Sequence, residues 1–166
     1  MASGRFFDPI TFLRVAPLVT STASLVIAND SHLFLSSLLA VKRHRAEVNV
    51  IAPRYFEEFF WRGLPEIFVT FGLSIAFGLA NVYYKPYAAS RFWYAGASAL
   101  ALLHFTFVPT IAQTVKATVE SEEIPDGKAR EAIRGWLDVH HVRMVVSDIP
   151  SWTCFFVAAL KALTPI

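Results

Sequence analysis

LPEIFVTFGLSIAFGLANVYY, residues 64–84, carries a single charged group, Glu66, near its start. A helix needs about 20 predominantly apolar residues to cross the hydrocarbon core of a bilayer. The apolar residues here are continuous. A β-barrel strand would alternate between a lipid face and a lumen face, so a helix is preferred. The stretch predicts one membrane-spanning helix.

Three more runs read the same way, at about residues 10–28, 92–115 and 139–163. An apolar piece at 32–41 follows Asn29-Asp30-Ser31 and is too short to span alone. It either continues the first helix or re-enters the membrane, and both readings stay open. The whole chain agrees, since its 166 residues are 55% hydrophobic and 17% charged, with a mean hydropathy of +0.46. A soluble domain of this length is more charged and less apolar. The expected fold is therefore all-α, an integral membrane four-helix bundle forming one domain over 1–166, with the lipid bilayer as its surroundings.

Other classes are set aside by what the sequence holds. A formal charge of +2, with no basic tract interleaved with aromatics, gives no footing for nucleic acid. Cys154 alone makes no intrachain disulfide and reads as a small packed hydrophobe. No cleavable signal peptide is expected, because the first apolar run is too long for one. Lys and Arg gather in the stretches after the first and third runs, so the positive-inside rule puts both termini on the non-cytosolic side. On that topology the Asn29-Asp30-Ser31 sequon stays unglycosylated.

Packing is predicted from small residues. Gly72, Ala76 and Ala80 repeat every four residues, and Ala97, Ala101 and His104 share a face; both patterns let helices approach closely. Phe56, Phe59 and Phe60 fall on one face of a helical stretch expected to lie in the membrane interface. The stretch 117–135 reads as a solvated loop, and Arg14 as a side chain reaching for the membrane surface.

The chemistry concentrates in WLDVHHVRMVVSDIPSW, residues 136–152. On a helix, Trp136, His140, Arg143, Ser147 and Ser151 form one polar stripe, with His141, Val145, Asp148 and Trp152 on its neighbour. Pro150 cannot donate to the carbonyl of Val146 and should kink the helix there. An unpaired carboxylate at the depth of Asp148 would be costly, so its expected partners are Arg143, His141 or His104 from another helix. Interhelical bonding alone would also account for these residues. His140 and His141 diverge by about 100° and cannot both chelate one ion. No HxxxH, CxxC, GxSxG or phosphate loop is present, so no metal and no bound cofactor is expected. A metal could be gathered only if His104, one of that pair, and Asp148 or Asp30 converged.

The spacing Trp136-x-x-x-His140-x-x-Arg143 at the head of the last helix resembles a signature of small four-helix membrane proteins that include the anthrone oxygenases of fungal polyketide pathways. Arg62-Gly63-Leu64-Pro65, Phe105-Thr106 and Pro109-Thr110 fit the same layout. The resemblance implies a cofactor-free oxidation of an anthrone-like, lipophilic aromatic to a quinone, with O₂ as co-substrate, in the endoplasmic reticulum membrane. It casts His140 as the base and Arg143 as the oxyanion partner, with Asp148 or His104 orienting the histidine. Trp136, His141, Ser147 and Trp152 become candidate substrate contacts. A mass-neutral cyclase or isomerase using the same His and Asp is the neighbouring reading. A non-catalytic assembly subunit is the contrasting one, and homo-oligomerisation is compatible with each.

Overall fold

The computed structural model describes residues 8–84, 88–121 and 127–163, and all of its regular structure is helical. Four rods form the bundle. The first is α1 (Pro9–Ala40) and the second is α2 (Arg45–Tyr83). The third joins α3 (Ala88–Leu103), a 3₁₀ turn (His104–Phe107) and α4 (Val108–Glu120). The fourth joins α5 (Lys128–Arg143), a π-helical turn (Met144–Asp148) and α6 (Ile149–Ala162). Each rod packs on its chain neighbours, and the fourth closes back on the first. All four are long and apolar enough to cross a membrane. Their outward faces carry Val19, Val26, Phe68, Leu102 and Leu160, a surface suited to lipid rather than water.

The helices are longer than the apolar runs predict. Asn29-Asp30-Ser31 does not interrupt α1, so 32–41 continues the first helix as far as Ala40. Asp8 caps α1, accepting the N–H groups of Ile10 and Thr11 at 3.2 and 3.1 Å. The Thr11 hydroxyl adds a third bond, and these bonds hold the Asp8 carboxyl below its ordinary pKa. The second helix begins at Arg45, far ahead of Leu64, and Phe56 is fully buried in it instead of lying in an interface. The expected solvated loop is overturned as well, because Ala129, Arg130 and Ile133 are buried on α5. Residues 122–126 of that stretch, and Lys85 between α2 and α3, lie outside the described residues.

Prolines explain where the rods deviate. Pro17 cannot donate to the Leu13 carbonyl, and the side-chain amide of Asn81 on α2 fills that position at 2.7 Å. Pro109 cannot donate to Phe105, whose carbonyl accepts instead from Val108, closing the 3₁₀ turn. Ahead of Pro150 the ladder widens, and the N–H of Ile149 reaches back five residues to Met144. Arg14 does not simply reach for a membrane surface: its guanidinium donates to the Ala162 carbonyl at 3.0 Å.

The small-residue stripes divide. Ala97, Ala101 and His104 are buried as expected. Gly72 and Ala76 face outward, and a Cβ at Gly72 would meet nothing. The close approach is at Gly78, where a Cβ would run into the Ser98 hydroxyl and lie 2.8 Å from the Phe155 ring. Gly78→Ala should therefore destabilise the bundle by about 1–3 kcal/mol. Gly72→Ala should be neutral or stabilising by up to about 1 kcal/mol. Reversible unfolding in mixed micelles measures both, and equal effects would contradict this packing.

Candidate functional site

Two apolar clusters hold the ends of the bundle. One gathers Leu35, Phe56, Ile133 and Trp136, and the other Val82, Tyr94, Phe155 and Ala158. Between them lies a buried polar layer of serines with His104, His140, Arg143 and Asp148. Transfer of each charge out of water costs several kcal/mol unless it is paired. The pairing decides the layer.

The π turn sets that pairing. Residues 143 and 148 would diverge by about 140° on an ideal α-helix. Over the wider turn both Ser147 and Asp148 face inward, below Arg143. Asp148 Oδ2 lies 3.5 Å from Arg143 Nε, an ion pair without a formed hydrogen bond. Its Oδ1 accepts from Nδ1–H of His104 at 2.9 Å, a bond from the fourth rod to the third. Phe71 packs on the His104 ring at a centroid distance of 3.9 Å.

His140 is engaged at both nitrogens. Its Nε2–H donates to the Ala28 carbonyl on α1 at 2.9 Å. Its Nδ1 must then carry the lone pair, and it accepts from Arg143 NH2 at 2.7 Å. The ring lies parallel to Trp136 at 4.7 Å and to His32 at 6.5 Å. A neutral imidazole with both nitrogens committed holds Arg143 in place. His104 differs: its Nε2 takes no hydrogen bond from the described residues.

Arg143, His104 and Trp136 reach a cavity of about 530 Å³. Its walls are apolar: Phe59, Phe60, Ile67 and Phe68 from α2, Phe105 and Phe107 from the 3₁₀ turn, Ile111 and Val115 from α4. It extends outward to Glu57 and Lys116. The volume suits a small lipophilic molecule. A second, far smaller cavity of about 10 Å³ lies beside Asp148 among Ser21, Ser24, Ser74 and Ser151.

The sequence-predicted residues thus separate. His104, His140, Arg143 and Asp148 form one network, and Trp136 joins it to the cavity wall. His141 is exposed on the opposite side of α5. Ser147 donates to the Leu100 carbonyl at 2.8 Å, and Trp152 to the Thr22 hydroxyl at 2.8 Å; none of these three lines the cavity. Among the described residues, no three His, Cys, Asp or Glu side chains converge as a metal site would require. Sequence reading missed the walls. Their signal was present in Phe59 and Phe60, which share the face of Phe56 that turned inward.

The chain is 28% identical over 160 residues to the epoxidase pydX of an Acremonium species, covering 93% of this chain and 96% of that protein. It is 29% identical over 160 residues to the probable epoxidase scpX of Mollisia scopiformis, covering 93% and 98%. It is also 24% identical over 166 residues to oxaleimides biosynthesis cluster protein N of Penicillium oxalicum, covering 91% and 89%. No family model matches the chain, and no solved structure matches it. The two relatives named by activity are an epoxidase and a probable epoxidase rather than anthrone oxygenases, and the third is named for a biosynthesis cluster.

Removing one member of the buried pair isolates the other. Asp148→Asn should cost about 3–5 kcal/mol, whereas Arg143→Met combined with Asp148→Leu should recover most of that loss. His141→Ala should stay within about 0.5 kcal/mol of the parent. Unfolding free energies of the three variants check the set, and a double variant as unstable as Asp148→Asn would contradict the pairing.

Proposed function

We propose that this chain is a membrane-embedded epoxidase of fungal secondary metabolism, adding one oxygen atom across a carbon–carbon double bond of a lipophilic substrate; the atom comes from a peroxide, or from O₂ with an external two-electron reductant, and the other oxygen leaves as water. The observation that carries the reading is the apolar cavity, closed at its inner end by Arg143 and His104, in a chain similar along nearly its whole length to proteins named epoxidases. The aromatic walls bind and orient the apolar body and exclude water from the reacting carbons. Arg143, fixed by His140 and Asp148, stabilises negative charge on a substrate oxygen. His104, oriented by Asp148, takes or returns a proton at Nε2.

Cofactor-free oxidation of an anthrone-like ring to a quinone is the narrower form suggested by the sequence. The same cavity accepts a flat aromatic, but the named relatives favour an alkene as the reacting group. The products distinguish these readings: an epoxide gains one oxygen, a quinone gains one oxygen and loses two hydrogens, and a cyclase or isomerase product keeps the substrate mass.

Membranes from cells expressing the chain, given a panel of lipophilic alkenes and anthrones, should yield a product heavier by one oxygen from an alkene. ¹⁸O₂ and H₂¹⁸O₂ labelling then identifies the source of that atom. Arg143→Gln should lower the turnover rate by about a hundredfold or more. A folded protein that gives only mass-neutral products, or an Arg143→Gln variant with full activity, would overturn the proposal.

A further inference from the structure

The inner end of the cavity has a charge balance that selects its ligand. His140 is neutral by its two hydrogen bonds, and Arg143 with Asp148 sums to zero. Arg143 spends NH2 on His140 and sets Nε against Asp148, while its NH1 donates no hydrogen bond to the described residues. A guanidinium has five donors in a planar fork, so Arg143 retains donors for a planar oxygen-bearing head. His104, bonded to Asp148 through Nδ1, retains a basic Nε2 at the same cavity.

A preformed anion entering this neutral, apolar place would bring an uncompensated charge out of water. A neutral acid arriving from lipid would not. Resting on the epoxidase reading of the same cavity, we infer that the substrate is an acidic amphiphile whose head carries a hydroxyl conjugated to a carbonyl, as in a carboxylic acid or an enolised 1,3-dicarbonyl. The head's O–H bond breaks and an N–H bond forms at His104 Nε2. The oxyanion then lies against Arg143 and the imidazolium against Asp148. Two ion pairs stand where one stood, and the total charge is unchanged.

The surroundings agree with that placement. The charged groups acting on His104 are Asp148 and Arg143, while α2 presents the Phe71 ring to it. At the outer end, Lys116 and Glu57 are already paired with Glu120 and Arg54, at 3.6 and 3.1 Å. The acidic head therefore goes inward, to Arg143, and the apolar body lies along Phe59, Phe60, Phe68, Ile111 and Val115.

Binding without turnover tests this. The full chain in nanodiscs is titrated with an eighteen-carbon dienoic acid and with its methyl ester, read by tryptophan fluorescence against empty discs and a Trp136→Phe blank. The acid should bind the parent about tenfold or more tightly than the ester. Arg143→Gln and His104→Gln should each bring that preference below about twofold with ester affinity retained, which also shows that the variants are folded. In the parent, the ¹⁵N shift of His104 Nε2 should move to its protonated value with the acid and not with the ester, a readout that needs no variant. Equal binding of acid and ester, a preference that survives both substitutions, or an unmoved ¹⁵N shift would overturn the inference. Epoxidation without acid preference would overturn it alone, and acid preference without any epoxidation would overturn the epoxidase reading alone.

Discussion

The bond between His104 and Asp148 is the constraint on which the bundle's interior depends. It joins the third and fourth rods where each has left regular α-helical geometry, the 3₁₀ turn at His104–Phe107 and the π turn at Met144–Asp148. Without the wider turn, Asp148 would point away from Arg143, and two buried charges would lack compensation. Without the tighter turn, His104 would not be presented in its present setting with Phe105 and Phe107 at the cavity. The two departures from the ideal helix compensate each other chemically.

From that bond outward, each contact fixes the next. Asp148 sets Arg143, Arg143 donates to His140, and the Ala28 carbonyl of the first rod fixes the tautomer of that ring. Parallel stacking with Trp136 ties the same imidazole to the cavity wall. A polar chain thus runs from the third rod through the fourth to the first. In a lipid-like setting, where apolar contact alone gives helices little preference for one arrangement over another, such a chain supplies specificity.

The sequence made part of this legible. Four apolar runs announce four rods because a bilayer fixes a minimum length, and that length says nothing about how far a helix continues past the apolar part. Hence α2 begins nineteen residues before Leu64. Asp148 was recognisably in need of a partner, since charge at depth is costly, and of the three basic groups at hand His104 and Arg143 meet it while His141 turns outward. The small-residue stripe of Gly72 and Ala76 misled because a glycine on an outward face looks the same in sequence as one at a contact. Gly78 could not be told from Gly72 without Ser98 and Phe155 beside it. The cavity was hidden for a related reason: a gap is made by what side chains from several rods fail to fill, and no local pattern records it.

The filling of the Leu13 carbonyl by Asn81 also bears on how the chain is made. That contact, with the Ser74 hydroxyl on Thr20, lies wholly between α1 and α2, which are made before the third and fourth rods. An early hairpin can therefore register itself before the rest of the chain exists. The helix that carries Arg143 and Asp148 follows the other three rods in chain order, so Ala28 and His104 are made before it. The charges most costly to bury thus follow their partners on the other rods in chain order.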